Sequence, residues 1–418
     1  MPLATSSDEC RLPPELLDIV IDYLHDDPTT LRSLAITSTQ CLHSSRVHLF
    51  YQIQLMHHPS AEYHQTPSRV LDKYYRLNKI LDTSPRLRGY IRHLIIHRAE
   101  FSHWVWYHIE PVVVQILGKL NNVSILSLRR VDFAWLSHFV RSPLRSMMLG
   151  TVVRLELHSC RFHDFTEFFN LIAGSNFKQL GVKEVTWGAP CVSNVPLRAQ
   201  TTILESLHLG DDCLDVVTPI LLENDSPLGL QRLSKLSISP MGNYQTAAKV
   251  IKHSKLTLEE LEVAVTGSRG SAYQSSRLTR VEYWYLIRVL DNLPLDILRP
   301  SDMTCLRQLK LTHVRQSEGY SPIRCIMSLL SQIHHCDGLE GVSFMVVIEA
   351  PIVKLDWSKW RVVDEVLARL FDARHSLKSV HITMSGGASD ADVWGLFGQL
   401  PELHRRRLLW MTLNNTEV

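Results

Sequence analysis

Residues 12–50 read LPPELLDIVIDYLHDDPTTLRSLAITSTQCLHSSRVHLF, and this stretch governs how the N-terminal part of the chain folds. Prolines are tolerated in the first turn of a helix, so a helix is predicted to begin at Pro13-Pro14. Seven of the ten residues from Glu15 to Leu24 are apolar. A surface helix normally carries an apolar stripe on one side only. We therefore expect this helix to contact partners on two sides, one inside its own chain and one outside it.

The rest of the stretch predicts two more short helices. Asp26-Asp27 precedes Pro28 in the arrangement of an N-cap followed by a first-turn proline. Apolar residues in the second and third segments are Leu31, Leu34, Ala35, Leu42, Val47, Leu49 and Phe50. Three short helices in about 40 residues bury too little surface to be securely stable alone. The size of the module again indicates a neighbour that covers its remaining apolar surface.

The stretch resembles an F-box, in the form common among fungal F-box proteins. The resemblance rests on its opening and closing residues, which are Leu12-Pro13-x-Glu15-Leu16-Leu17, Ile19, Val20, Leu24 and His48-Leu49-Phe50. The chain departs from the family at Cys41, where an aromatic residue is usual, and at Ser38, where cysteine is usual. Another interpretation is that these helices form only a cap on the domain that follows.

The resemblance implies a role for the chain and a set of contacts. It implies the substrate-recognition subunit of an SCF-type cullin–RING ubiquitin ligase. The F-box would dock a Skp-family adaptor, and through it a cullin, while the rest of the chain holds a target protein. The residues expected to contact the adaptor are Leu12, Pro13, Pro14, Leu16, Leu17, Ile19, Val20 and Leu24.

From residue 87 onward one pattern occurs ten times: an apolar residue, two others, and then L-x-L or its equivalent. The alternation predicts a strand with one buried face. The copies begin at Ile91, Val123, Val152, Phe177, Leu204, Leu233, Leu258, Leu306, Leu339 and Leu377. Helices are predicted between them at 111–120, 134–148, 164–173, 211–222, 246–253, 283–290, 323–335, 362–371 and 391–400.

Strand–helix repeats of this length predict an α/β fold. They resemble the irregular leucine-rich-repeat region found behind many F-boxes, although the usual asparagine after L-x-L is absent. A closed α/β domain with an ordinary parallel sheet is the alternative. The predicted organisation is a flexible tail at 1–10, an F-box-like module at 11–57, a linker and connecting helix at 58–86, and a repeat domain at 87–418. A Gly- and Ser-rich insertion at 266–280 predicts a functional or disordered loop.

In a solenoid, the residues between the buried leucines would line one concave surface. These residues are polar, of mixed charge and rich in histidine, which favours a protein partner over a polyanion. An ordinary solvated strand face is the alternative. The candidate target-binding residues are His93, His97, Arg129, Arg154, Glu156, His158, Lys183, His208, Glu260, Glu262, Lys310 and His381.

Composition narrows the functional class. A net charge of +2 gives no electrostatic case for nucleic-acid binding. The eight cysteines form no CxxC pair, which favours reduced thiols in the cytoplasm or nucleus. No signal peptide and no run of about 18 apolar residues is present, so no membrane partner is expected.

The sequence predicts no enzymatic activity. It contains no P-loop, no GxGxxG after a strand, no G-x-S-x-G and no HExxH. His93 and His97 have a metal-binding spacing for a helix, but on a strand they would be about 13 Å apart. We therefore expect no catalytic residues, no metal and no cofactor. The alternative function is a repeat scaffold for protein–protein interaction with no ubiquitin role.

Overall fold

The structure is a computed structural model, and two compact units, Met1–Glu156 and Leu157–Val418, make up the chain. The predicted tail, the 266–280 insertion and the predicted helix at 283–290 lie outside the residues that the structure describes. The described residues are 12–56, 67–97, 103–188, 201–210, 213–222, 226, 228–239, 244–265, 302–316, 322–333, 336–348, 355–374 and 376–414.

Three short helices open the first unit, as the sequence predicts. Pro14 occupies the first turn of the first helix, and the Asp27 carboxylate caps the second by accepting from the backbone N–H groups of Thr29 and Thr30 at 3.1 and 3.0 Å. The buried core shared by these helices consists of Ile21, Leu31 and Cys41, so the small thiol occupies a core position. The helices are α1 (Pro14–Tyr23), α2 (Pro28–Thr37) and α3 (Thr39–Leu49).

A parallel sheet follows these helices in the first unit. Strand β1 (Gln52–Met56) pairs with β2 (His93–His97), which pairs with β3 (Ile125–Arg129). Strand β1 was not predicted, and it places the last residues of the predicted 11–57 module in the sheet. The other elements are α4 (Pro67–Thr83), α5 (Pro85–Tyr90), α6 (His103–Leu117), a 3-10 turn (Phe133–Trp135), α7 (His138–Gly150) and β4 (Arg154–His158), which spans the boundary between the units.

Helix α6 contains a proline that was predicted to mark its start. The helix predicted to start at residue 111 begins at His103, and Pro111 lies inside it. A proline inside a helix removes one backbone hydrogen bond. The apolar stripe nevertheless extends upstream, because Trp106 and Ile109 are buried. Burial of these side chains therefore outweighs the local cost of the proline.

Strands and helices alternate along the second unit. Its helices are α8 (Phe165–Ile172), α9 (Leu214–Leu221), α10 (Tyr244–Ser254), α11 (Ile323–Ile333), α12 (Trp360–Arg374), α13 (Asp390–Phe397) and α14 (Pro401–Arg405). Its strands are β5 (Arg161–Phe162), β6 (Gln179–Lys183), β7 (Thr186–Trp187), β8 (Thr202–Ile203), β9 (Ser206–Leu209), β10 (Leu228–Gly229), β11 (Lys235–Ile238), β12 (Glu260–Ala264), β13 (Gln308–Gln316), β14 (Gly341–Ile348), β15 (Ser379–Gly386) and β16 (Leu409–Leu413).

The long strands of the second unit form a parallel sheet in the order of the chain: β6, β9, β11, β12, β13, β14, β15 and β16. The first position of each L-x-L pair is in register across seven strands and is buried in all of them: Leu180, Leu207, Leu236, Leu261, Leu309, Val342 and Val380. All ten predicted strands are present. This α/β arrangement, in which strands pair in chain order, is consistent with a solenoid-like repeat region.

None of the helices in the described ranges combines the length and the apolar character needed to cross a membrane.

Candidate protein-interaction surfaces

Helix α1 has an inward side that belongs to its own module. Ile21 is its fully buried residue and lies in the core with Leu31 and Cys41. Leu24, just after the helix, packs against the same core, and Leu17 is half-buried. These contacts account for the part of α1 that its own chain covers.

The opposite side of α1 is apolar and exposed. Leu16, Ile19, Val20 and Tyr23 have the i, i+3, i+4, i+7 spacing of one helix face, and their exposed fractions are 47%, 50%, 50% and 83%. We call these four residues the outward row. Leu12, which precedes the helix, is 53% exposed. Contiguous exposed apolar side chains are typical of surfaces that bind another molecule.

The structure separates the predicted adaptor contacts into two groups. The exposed group contains Leu12, Pro13, Pro14, Leu16, Ile19 and Val20. Leu24 instead packs against the module's own core, and Leu17, four residues before Ile21 on the helix, is half-buried. Two exposed residues were missed, Tyr23 on α1 and Ile36 on α2. Tyr23 could have been found, since it lies seven residues after Leu16 and therefore on the same face.

The predicted strand face of the first unit is largely covered. The central outward positions of β2 and β3, Ile95 and Ser127, are both buried, although strict alternation predicts exposure there. His93, His97 and Arg129 at the strand ends are half-buried. The solvated ladder expected from alternation is therefore absent at these described strands.

A hydrogen-bonded chain runs across this face from His93 through Ser127 to Glu156. His93 Nε2 lies 2.9 Å from Ser127 Oγ, which donates to Glu156 Oε2 at 2.6 Å. Glu156 also pairs with Arg154 at 2.5 Å. Burial lowers the pKa of His93, with Glu156 opposing this effect and Arg129 reinforcing it. Ser127 is completely buried and its proton is directed to a carboxylate, so its hydroxyl is inaccessible to a substrate and serves as a structural bridge.

Several polar side chains that the sequence placed on the face of the second unit have partners within the chain. Glu260 receives hydrogen bonds from Lys310 and contacts Lys235 at 3.0 Å. Burial alone would raise the pKa of Glu260, but these two ammonium groups outweigh it and leave that pKa lowered. His158 lies 3.6 Å from Glu184, and His208 hydrogen-bonds Ser237 at 2.8 Å.

Lys183 and Glu262 act electrostatically on His313, which was not among the predicted target-binding residues. Burial lowers the pKa of His313, Arg315 and Lys183 lower it further, and Glu262 opposes them. His313 lies on β13, one of the strands that carry the predicted face. A neutral imidazole is favoured at this position.

The C-terminal strands of the second unit present an uncharged aromatic patch. Trp410 on β16 is 61% exposed and stacks on His381 of β15, with ring centroids 6.2 Å apart and planes 12° apart. Met345 on β14 is 38% exposed, and the Thr383 and Thr412 hydroxyls are 3.1 Å apart. We call these five residues the tryptophan patch. Of the predicted target-binding residues, only His381 belongs to it, and Trp410 was missed because β16 was not predicted.

Metal-binding groups are not assembled in the described part of the chain, where no three His, Cys, Asp or Glu residues lie close enough to hold an ion. His93 and His97 stand at opposite ends of β2.

Comparison with known proteins places the chain in no family. No family model matches it, and no curated protein matches it. One solved structure that it resembles is the crystal structure of a Bacteroides fragilis protein from the Northeast Structural Genomics Consortium. That chain is 10% identical, with 84% of each chain covered and a TM-score of 0.38. The F-box resemblance therefore stays a prediction.

Proposed function

We propose that this chain is the substrate-recognition subunit of an SCF-type ubiquitin ligase, acting in the cytoplasm or nucleus. The outward row of α1 carries the proposal. Four large side chains share one face, stay about half-exposed or more, and belong to a module whose core is only three buried residues. A helix with an apolar face fits the groove of a partner protein, which is the recognition mode that the F-box resemblance implies. In this proposal the partner is a Skp-family adaptor.

The strand–helix region would hold the target. We propose that it is a leucine-rich-repeat-like solenoid and that its target contacts centre on the tryptophan patch. Tryptophan is enriched among residues that dominate binding energy, and Trp410 is both exposed and held by stacking on His381. The charges around Glu260 are already satisfied within the chain, so they are less suited to anchor a partner. An uncharged target surface with an apolar side chain fits the patch best.

The proposed mechanism is positioning rather than chemistry. The chain itself carries no catalytic residue in this proposal. Tethering the target and the ubiquitin-carrying enzyme to one complex raises the effective concentration of target lysines near the activated ubiquitin. The chain therefore accelerates transfer only if both surfaces can be occupied together.

The adaptor step is tested by binding the purified full-length chain to a recombinant Skp-family adaptor. The variant Leu16→Asp/Val20→Asp places two charges in the outward row and should raise Kd at least about 30-fold, because a buried interface anchor contributes about 2 kcal/mol or more. A matched control is Ile80→Asp/Leu256→Asp, which charges two exposed apolar residues outside α1. Unchanged binding by the first variant would refute the proposal.

One observation favours the alternative, in which the helices only cap a scaffold without a ubiquitin role. Strand β1 follows α3 directly and pairs with β2, and Tyr90 Oη lies 3.0 Å from His43 Nδ1. The helices are thus tied to the sheet of the first unit. Under this alternative the wild-type chain does not bind the adaptor at all, which the same titration detects.

A further inference from the structure

The polar edge of α1 faces α3, its neighbour within the module. Asp18 and Asp22 are one turn apart on α1, and Ser44 and His48 are one turn apart on α3. The Ser44 hydroxyl donates to Asp18 Oδ1, and His48 Nε2 lies 2.8 Å from Asp22 Oδ1. Two matched polar pairs therefore join the two helices along one line.

Hydrophobic burial alone does not determine the rotation of α1 about its axis. Seven of the ten residues from Glu15 to Leu24 are apolar, so several rotations would bury a comparable set of side chains. The polar residues are few, and each rotation places them differently. In coiled coils a single polar residue in an otherwise apolar seam can fix the register of two helices in the same way.

We infer that Asp18 and Asp22 are positioning residues that select the rotation in which the outward row points away from the module. With both carboxylates bound to α3, Ile21 enters the core and Val20 is left exposed. The Asp22 side chain is 69% exposed and that of His48 is 21% exposed. Exposed pairs contribute little to stability, so we assign these contacts a role in orientation rather than in holding the fold.

Other polar groups near this pair belong to the turn after α1. His25 Nδ1 lies 2.9 Å from the Asp22 backbone oxygen, its Nε2 lies 3.1 Å from Asp26, and its ring centroid is 6.5 Å from that of His48. The consequence for adaptor binding rests on the proposed function, but the orientation itself does not.

The orientation is tested by thiol labelling of the full-length chain. Leu17→Cys reports the inward side of α1 and Val20→Cys the outward side, and each labelling rate is read by peptide mass spectrometry. In the wild-type background the cysteine at 20 should react faster. Adding Asp18→Ala/Asp22→Ala should raise the ratio of the labelling rate at 17 to the labelling rate at 20 about threefold. Losing exposed polar pairs changes an equilibrium constant by about this factor. Rotation should lower the rate at 20 as the rate at 17 rises, whereas general loosening would not lower the rate at 20.

Two controls separate orientation from charge. Glu15→Gln removes the third carboxylate of α1, which has no contact with α3 among the described interactions, and should leave the ratio unchanged. His48→Gln keeps a donor near Asp22 and should retain the wild-type ratio, whereas His48→Ala should not. An unchanged ratio in the Asp18→Ala/Asp22→Ala background would overturn the inference.

Adaptor binding by the same variants separates this inference from the proposed function. If the ratio changes but the wild-type chain does not bind the adaptor, the proposed function fails and the positioning role stands. If the wild-type chain binds and the ratio does not change, the positioning role fails and the proposed function stands. If both hold, the Asp18→Ala/Asp22→Ala variant should bind about threefold more weakly than wild type.

Discussion

Helices α1 and α11 carry the same apolar pattern, but this face is exposed in α1 and buried in α11. In α11 the residues Ile326, Leu329, Leu330 and Ile333 have the i, i+3, i+4, i+7 spacing of the outward row, and each is at most 1% exposed. In α1 the corresponding side chains are 47–83% exposed. Spacing predicts that a helix has an apolar face, but it does not say which molecule covers that face.

The difference between the two helices has a local cause. Along the chain, helix α11 follows β13 and precedes β14. The apolar side chains of both strands are buried within the same unit as α11. Helix α1 already packs on its own module through Ile21, so its second apolar side has no cover within the described part of the module.

The largest effect is expected for Leu330→Ala in α11. Removing a fully buried side chain leaves a cavity, so the free energy of unfolding should fall by about 2–5 kcal/mol. Urea denaturation, followed by circular dichroism, measures this change. A loss below about 1 kcal/mol would mean that the α11 face is not the sealed surface described here.

An intermediate change in the free energy of unfolding is expected for Glu260→Gln, which removes a charge from the strand face of the second unit. Because Lys310 and Lys235 hold the pKa of Glu260 below its ordinary value of 4.5, this carboxylate stabilises the fold above that pH and loses its contribution as the pH falls below it. Glu260→Gln should therefore cost about 1 kcal/mol or less at pH 7 and nothing at strongly acidic pH.

The control for the pH experiment is a charge outside the network. Glu259→Gln alters the neighbouring residue, which is exposed. Its stability difference from wild type should not follow the same pH dependence. Equal stability of the Glu260→Gln and wild-type chains at every pH would contradict the pairing described for this face.

The smallest effect is expected for Leu16→Ala/Val20→Ala in α1. Because both side chains are about half-exposed, the free energy of unfolding should change by no more than about 0.5 kcal/mol in total. The same urea assay used for Leu330→Ala gives a direct comparison. A loss above about 2 kcal/mol would show that the chain itself covers the outward row.

Much of the fold could be predicted from the sequence because it depends on local alternation. The ten predicted strands, the N-cap Asp27 and the helix that begins after Asp164 follow directly from residue patterns. Strand β1 was missed although Phe50-x-x-Ile53-x-Leu55 matches the repeated pattern, because Phe50 was assigned to the end of the F-box-like module. Strand β16 was missed because Arg406 occupies the position of the apolar spacer. The start of α6 was placed too late because a proline was treated as a helix start, although buried residues extend the helix upstream.

The surfaces were less predictable than the strands. An almost wholly apolar helix does not reveal its rotation, so Leu24 was placed with the outward residues although it packs against the core, and Leu17 although it is half-buried. Likewise, alternation identifies outward charges but not their partners. The pairing of Glu260 with two lysines depends on the registers of β11, β12 and β13, which are non-local.

The most direct test of the account is hydroxyl-radical footprinting of the full-length chain with and without the Skp-family adaptor. Tyr23 is the reporter, because it is reactive, 83% exposed and part of the outward row. Trp394, which is 70% exposed in the second unit, is the internal reference. We predict that adding the adaptor strongly reduces oxidation of Tyr23 and leaves that of Trp394 unchanged. Unchanged oxidation of Tyr23 at saturating adaptor would contradict the claim that another protein covers this face.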